Sequence, residues 1–446
     1  MVAGSATYSP MGLSATGGGH SSHAADTRLL LAARGVRAFA YGILGVLLGV
    51  ALTQRGLSPV AIGAIITVSL VGDFFGTYLI GLRADRWGKR RTLVVLAGLM
   101  ALTGTIFGLV SFYPVLLIAA FFGTLGTTGS ETAPFLPIEQ SIVPQIVPVE
   151  RRTAIFARYN LIASFAGALG ALAAGLPDLL TRAGVGLTTG IRVMFGLYVL
   201  AALVAALLAM RLSAAVETAP HDISQTTGGA TARRRRPQFA PKLGRSRSVV
   251  LRLAAVFSVD ALAGGLVAQS LAALYFHLRF GVPLGPLGLL FFAANTLAAL
   301  SFLAAVPLAR RFGLLNTMVF THLPSNVLLA LVAFMPTFPL AAAVLLLRQL
   351  LSQMDVPTRQ AYTMALVAPE ERTAAASVTS LARSAGSAAS PVISGALLQG
   401  TLLTVGLPFV IAGAVKAVYD LTLWTVFRHV PIADGRSNAR NHGPLL

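Results

Sequence analysis

The stretch Gly81–Arg91, GLRADRWGKRR, decides how the rest of the chain is read. It separates two apolar runs, 59–82 and 92–113, each long enough to cross a hydrocarbon core of about 30 Å as a helix. Five cations (Arg83, Arg86, Lys89, Arg90 and Arg91) share the loop with one acid, Asp85. Clustered Lys and Arg between apolar spans stay on the cytoplasmic side, so this loop sets the direction of both flanking helices.

Outward from the loop, apolar runs recur along the chain. Twelve spans are expected, at 36–54, 59–82, 92–113, 115–137, 153–176, 190–211, 249–276, 285–309, 314–335, 338–366, 373–398 and 404–427. Of 446 residues, 55% are hydrophobic and 11% charged, with a mean hydropathy of +0.77. Soluble globular domains carry about a quarter charged residues, so the composition excludes that class. A β-barrel would read as short alternating segments of about ten residues, and none recur here. The expected fold is an all-α polytopic membrane protein of twelve transmembrane helices.

A net charge of +19 would suit nucleic acid if the cations formed one patch. Instead they gather in the N-terminal stretch, in alternate loops and in the C-terminal tail. That pattern encodes topology, places both termini in the cytoplasm and adds attraction to anionic membrane lipid. No nucleic-acid partner is expected. The chain has no cysteine, which rules out disulfides, zinc–thiolate sites and thiol catalysis. His20 and His23 fall in a Gly-, Ser- and Ala-rich segment, 1–27, read as a solvated disordered tail rather than a signal peptide. No metal site or cofactor is expected. There is no Walker loop and no catalytic constellation, so neither an enzyme nor an ATP-driven pump is expected.

Residues 213–248, with the run Arg233–Arg236, form a polar Pro-, Gly- and Arg-rich linker. It divides the chain into a six-helix bundle at 28–212 and another at 249–430, followed by a cytoplasmic tail at 431–446. The halves are related. PIEQSIVPQIVPVERRTA (137–154) matches PTRQAYTMALVAPEERTA (357–374) at an offset of 220, sharing Pro137/Pro357, Gln140/Gln360, Arg152/Arg372 and Ala154/Ala374 among others. The opening loop has an echo at an offset of 225, VPLARRFGLLN (306–316). Both offsets preserve chain direction through the membrane, which implies two parallel repeats about an axis along the membrane normal.

GLRADRWGKRR resembles the loop 2–3 signature of the major facilitator superfamily, G-x-x-x-D-R-x-G-R-R, with Lys89 in the first basic slot of the pair. The 6+6 layout, the central linker and the echo at 306–316 agree with it over about residues 28–430. The resemblance implies a secondary transporter working by alternating access; proton coupling, a monomer and a bacterial inner (plasma) membrane are expected with it.

The resemblance also implies that Asp85 pairs across the halves and meets a helix N-terminus, holding the outward-open state. Gly81 lets helices approach closely and Gly88 lets the loop turn sharply. Arg86, Lys89 and Arg90 either join that network or meet lipid phosphates. The echo carries Arg310 where the acid should be, so the gate is expected to be asymmetric. Glu150 and Arg152 begin span five, and Glu370 and Arg372 begin span eleven. The acids suit a first helical turn, and a lock between halves is the alternative.

Ionisable side chains at membrane depth are costly and are functional by default. Asp73, Glu131, Asp260, Arg348, Asp355, Arg383, Lys416 and Asp420 lie inside spans. Lys416 and Asp420 are four apart and can pair along one helix face. Arg348 and Asp355, seven apart, fall on nearly the same face. In the resembled family spans one, four, seven and ten line the cavity, which makes Glu131, Asp260 and Arg348 cavity candidates. Asp73, Glu131 and Asp260 are candidate proton carriers, with Tyr41, Gln269 and Asn295 as further polar contacts. Arg348 and Arg383 favour an anionic or carboxylate-bearing solute. Multidrug efflux is the runner-up, although span five (ASFAGALGALAAG, 163–175) lacks the glycine–proline motif of the drug–proton antiporters. A non-transporting receptor is a further alternative.

If Asp85 holds the gate, Asp85→Asn lowers uptake into proteoliposomes while membrane insertion stays at the parent level; unaltered uptake would reject the gating role.

Overall fold

The computed structural model describes residues 17–127, 134–217, 244, 246–367, 371–401 and 404–428, and every regular element among them is helical. The first half of the chain supplies α1 (Gly17–Thr53), α2 (Pro59–Trp87), α3 (Lys89–Leu109), α4 (Tyr113–Phe122), α5 (Phe135–Ile146), α6 (Val149–Ala173), the short α7 (Leu176–Arg182) and α8 (Leu187–Met210). The second supplies α9 (Arg247–Leu266), α10 (Gln269–Phe280), α11 (Leu284–Phe312), α12 (Leu314–Val332), α13 (Phe338–Ser352), α14 (Asp355–Ala365), α15 (Arg372–Leu398) and α16 (Leu407–Phe427).

Nine helical stretches among the described residues are long and apolar enough to cross a membrane. The expected spans at 115–137, 338–366 and 373–398 fall outside that set. The first falls on α4 and α5, which are separate helices, and the second on α13 and α14. The third, α15, is one helix rich in Ser and small residues. The span at 249–276 is likewise broken, between α9 and α10, where Val267 and Ala268 leave helical geometry just after Gly264 and Gly265. Glycine pairs and Thr–Gly runs cost helix stability. Such breaks persist at membrane depth only where the freed backbone groups find partners. Here Thr124 O accepts from the Tyr198 hydroxyl at 2.5 Å and Thr127 O accepts from Ser270 Oγ at 2.7 Å.

The sequence echo is also a structural echo. Gly88 (φ +90°) ends α2 and begins α3, and Gly313 (φ +84°) does the same between α11 and α12. Each donates its N–H to a carbonyl four residues back, Ala84 O and Ala309 O, at 3.0 Å. Positive φ at both turns is the backbone state that favours glycine. The second match is kept as well. Arg152 donates to Pro144 O at 2.7 Å, and Arg372 donates to Met364 O at 3.1 Å. Both guanidiniums thereby satisfy carbonyls at the end of the preceding helix, at positions 220 residues apart.

Within each half the helices pack on one another: α1 on α6 and α8, α3 on α8, α9 on α15 and α16, and α12 on α16. Between the halves α2 lies along α15, α6 along α11, and α1 meets α10. The close contacts at these seams gather at the end remote from Gly88 and Gly313. Any side chain at Gly63 would strike Pro391 O, and any at Gly395 would strike Pro59 O. Val392 donates its N–H to Thr67 Oγ1 at 3.1 Å, beside Pro391. The third tie is Gly285 N–H to Asp178 Oδ2 at 2.6 Å, which joins α7 to the first turn of α11. Along α2, residues from Ile62 to Asp73 are buried or half-buried, whereas Phe75, Tyr78 and Leu79 are exposed toward the Gly88 end. The tightest contacts between the halves therefore lie at one end of the seam.

Two segment boundaries differ from expectation. Helix α1 begins at Gly17, within the segment expected as tail, because Asp26 is buried and accepts from Ser213 N at 2.9 Å and from Ser213 Oγ. The linker's described ends are docked rather than free. Glu217 caps α3 by accepting from Lys89 N (2.7 Å) and Arg90 N (2.9 Å), and Glu371 accepts from Gly244 N (2.7 Å) and Ser246 N (3.0 Å). A carboxylate at a helix start satisfies orphan N–H groups and the positive end of the helix dipole. At the end with the tight contacts Arg55 donates to Val110 O at 3.0 Å, and burial, then Arg192, hold its guanidinium below the usual range.

Gly395→Leu should wedge α2 from α15 at these contacts. Overpacking of this kind costs about 1–3 kcal/mol, so the purified protein should unfold at lower temperature, and an unchanged melting curve would count against the tight seam.

Candidate functional site

The mid-membrane charges form two buried groups, one in each half. In the first half one terminal nitrogen of Arg37 of α1 reaches both carboxylate oxygens of Glu139 of α5, at 2.7 and 2.8 Å, with both side chains almost fully buried. The Tyr159 hydroxyl of α6 also donates to Glu139. The guanidinium of Arg34 lies 4.6 Å from the Tyr159 ring centroid, and that of Arg37 lies 4.3 Å from Phe135. Charge-assisted bonds and cation–π contacts compensate much of the desolvation that burial imposes.

In the second half the hub is Asp260 of α9, 3% exposed. It accepts from Lys416 Nζ of α16 at 2.5 Å, from Arg383 of α15 at 2.8 Å and from Arg359 of α14 at 3.4 Å. Arg359 also binds Asp355, one turn earlier, at 2.7 Å. Next to this group Asp420 of α16 accepts from Asn326 at 2.8 Å and lies 2.9 Å from His322 Nδ1, both residues on α12. Four cations (Arg348, Arg359, Arg383 and Lys416) thus accompany three carboxylates (Asp260, Asp355 and Asp420) in this half's interior.

Two expected pairings are not formed. Lys416 and Asp420 do not pair with one another: Lys416 binds Asp260, and Asp420 binds His322 and Asn326. Neighbouring helices offer each side chain a partner across the bundle, and these win over the neighbour one turn away. Arg348 and Asp355 do not share a helix face, because the chain leaves the helix between Ser352 and Asp355. Arg348 instead donates to Gln349 Oε1 at 3.2 Å, and its buried Nε has no partner. Asp355 opens α14, where an acid suits the helix dipole.

Asp73 of α2 is 7% exposed, with Oδ1 buried and without a hydrogen-bond partner. Gln269 Nε2, at the start of α10, is also buried without one. Arg383 is the most accessible cation on Asp260, its side chain 32% exposed against 9% for Lys416 and 10% for Arg359. Tyr41 is buried, and Asn295 is half-buried on α11. Glu131 and Glu370 lie outside the described residues, as do the side chains of Asp85 and Glu150. Of the remaining loop residues, Gly81 falls in the last turns of α2, Arg86 is exposed and Lys89 is buried, while Arg90 is exposed with its N–H on Glu217. Arg152 and Arg372 bind carbonyls of their own half.

Arg37, Glu139, Arg359 and His322 were not among the expected site residues. One signal was present: Glu139 and Arg359 occupy the same position of the 220-residue match, with opposite charge. Each pairs with a residue of its half's first helix, Glu139 with Arg37 and Arg359 with Asp260, so the repeat keeps an ion pair there and inverts its polarity.

Comparison with known proteins gives these charges a setting. The family model for the Major Facilitator Superfamily matches residues 30–391. The chain belongs to the Major Facilitator Superfamily. An uncharacterized membrane protein of Saccharomyces cerevisiae is 27% identical over 422 residues, covering 90% of this chain and 94% of that protein. The crystal structure of the nucleoside transporter NupG superposes with a TM-score of 0.68 at 13% identity, over 91% of this chain and 99% of that one. An auto-inhibited POT family peptide transporter gives a TM-score of 0.67 at 16% identity, over 94% and 99%. These likenesses give this superfamily member a transporter fold in an integral membrane protein, rather than that of an enzyme.

Removing one member of a buried ion pair costs about 3–5 kcal/mol, whereas replacing both by apolar residues is far milder. Glu139→Gln should therefore lower the thermal midpoint sharply and Arg37→Met with Glu139→Leu should recover most of it; equal losses in both variants would refute a buried pair here.

Proposed function

We propose that this chain is a monomeric secondary active transporter that moves a small organic anion by alternating access, coupled to protons. The observation that carries the reading is the surplus of positive charge around Asp260 and Asp355. Arg348 keeps an unpartnered Nε, and Arg383 is partly accessible. A cation with unused donors at membrane depth is costly unless an anionic group meets it. Guanidinium forks match carboxylates in both geometry and charge.

Proton coupling rests on Asp73. It lies on α2, which runs along α15 at the seam between the halves, and its Oδ1 is unpartnered. An uncompensated carboxylate is expensive to bury, so movement of the seam that wets Asp73 favours release of a proton, and closure favours uptake. Asp260 is already neutralised by three cations and is the poorer carrier in this state.

In this reading two six-helix bundles, 28–212 and 249–430, rock about the seam, joined by a cytoplasmic linker at 213–248. On this reading the Lys- and Arg-rich loops and both termini face the cytoplasm, and the membrane is a bacterial inner membrane. The tight contacts at Gly63, Gly395 and Asp178 then face outward, which supports a state that opens toward the cytoplasm. Asp85, Arg86, Gly88, Lys89 and Arg90, with Glu150, Arg152 and Arg372, belong to the end that must close in the opposite state, and Glu370 is proposed to act with them.

The test is uptake and efflux of an organic-anion panel in proteoliposomes under an imposed pH gradient. At least one anion should accumulate with the gradient, and Asp73→Asn should abolish that accumulation while sparing exchange of the same anion at equal pH. Accumulation by Asp73→Asn at the parent rate would remove the proton-carrying role.

A further inference from the structure

The bonding around Asp260 is uneven, and the unevenness has a direction. One carboxylate carries two oxygens, yet three cations from three helices converge on it. Lys416 is alone on Oδ1 at 2.5 Å, while Arg383 and Arg359 share Oδ2 at 2.8 and 3.4 Å. Arg359 has a second carboxylate, Asp355, at 2.7 Å, and is held whether or not Asp260 is present. Lys416 is nearly buried. Arg383 differs from both: Asp260 is its bonded carboxylate here, and a third of its side chain is accessible. It stands on α15, which lies between α9 and α2.

On this basis we infer that Asp260 is a built-in competitor for the substrate: it occupies Arg383 in the empty transporter, and the carboxylate group of the incoming solute displaces it. The inference rests on the anionic-solute reading above and gives each residue a distinct part. Arg383 is the exchangeable cation that passes from Asp260 to the solute. Lys416 is a positioning residue, because it retains Asp260 when Arg383 leaves and so keeps that carboxylate compensated. Arg359 is anchored through Asp355 and does not move. A resident carboxylate also selects: a solute without an anionic group gains too little from Arg383 to displace one that is already bonded, whereas an anion exchanges like for like. No proton or electron is transferred in this step; one ion pair replaces another.

The competition makes opposite predictions for two substitutions. Asp260→Asn together with Lys416→Met removes the competitor and its partner at no change in net charge. Arg383 is then unoccupied, and anions should bind more tightly. Lys416→Met alone leaves Asp260 with Arg383 and the more distant Arg359, so Arg383 is harder to release and anions should bind more weakly. A purely structural role for this cluster would shift both in one direction.

The probes are acetate, lactate, benzoate, succinate and inorganic phosphate, titrated against the thermal unfolding of the purified full-length chain. At least one carboxylate should raise the unfolding temperature of the parent. Its half-saturating concentration should fall roughly tenfold in the double variant, about 1.4 kcal/mol in binding free energy, and rise in Lys416→Met. Arg383→Gln should lose the response. If the parent responds but neither variant shifts, or both shift the same way, the competition is overturned and the anionic reading stands. If no probe stabilises the parent, the anionic reading itself fails, and the inference with it. Lys416→Met keeps Asp260 compensated by Arg383 and Arg359, so where the double variant does not fold, unchanged or tighter anion binding in Lys416→Met still overturns the competition.

Discussion

Everything in the interior of this protein is arranged around the cost of charge at membrane depth. Asp260 is the clearest case. It is buried, yet it is bonded by Lys416, Arg383 and Arg359 from α16, α15 and α14. A lone carboxylate there would be prohibitive, and three lone cations equally so. Bringing them together fixes the rotation of three helices about α9. The first half meets the same constraint with Arg37, which bonds both oxygens of Glu139 between α1 and α5. The first-half group sets Arg34 and Arg37 against Glu139 with both guanidiniums also on aromatic rings, while the second sets four cations against three carboxylates, with one of them, Arg383, partly accessible.

The second constraint is backbone. Breaks between α4 and α5, α9 and α10, and α13 and α14 interrupt three of the expected spans. Broken helices in lipid must satisfy their own carbonyls, and two of these are satisfied across the molecule. Ser270 of α10 donates to Thr127 O, and Tyr198 of α8 donates to Thr124 O. These bonds lie close to where α1 meets α10, so the irregular backbone is also part of the seam between the halves. Glycines at Gly63 and Gly395 allow the helices of the seam to touch backbone to backbone, as small residues do in other membrane helix pairs.

Much of this was legible in the chain. The loop at Gly81–Arg91 and its echo at Val306–Asn316 predicted paired turns, and Gly88 and Gly313 take the same positive-φ geometry. The match at 137–154 and 357–374 predicted repeated structure, and Arg152 and Arg372 bind equivalent carbonyls. Pairings were less legible. Lys416 and Asp420 stand one turn apart, and the rule that such neighbours pair is sound for an isolated helix. In a bundle every face has another helix against it, and Asp260, His322 and Asn326 made better partners. Arg37 and Glu139, 102 residues apart, gave no local sign of their bond. Only the charge reversal between Glu139 and Arg359 within the repeat pointed to it.

The amino-acid sequence by itself determined the class of molecule. Apolar runs, the placement of Lys and Arg and the repeated glycine turns are local properties, and local properties decide that segments are helical, that they are apolar enough to span and that the chain is built twice. Tertiary structure decided which charge answers which. It set Lys416 on Asp260 rather than on Asp420, left Arg348 Nε and Asp73 Oδ1 without partners, and brought the halves into backbone contact at Gly63 and Gly395. The physical reason is that electrostatic compensation in a low-dielectric interior is settled by distance in space, over a few ångströms, and sequence separation carries almost no information about that distance once helices pack side by side.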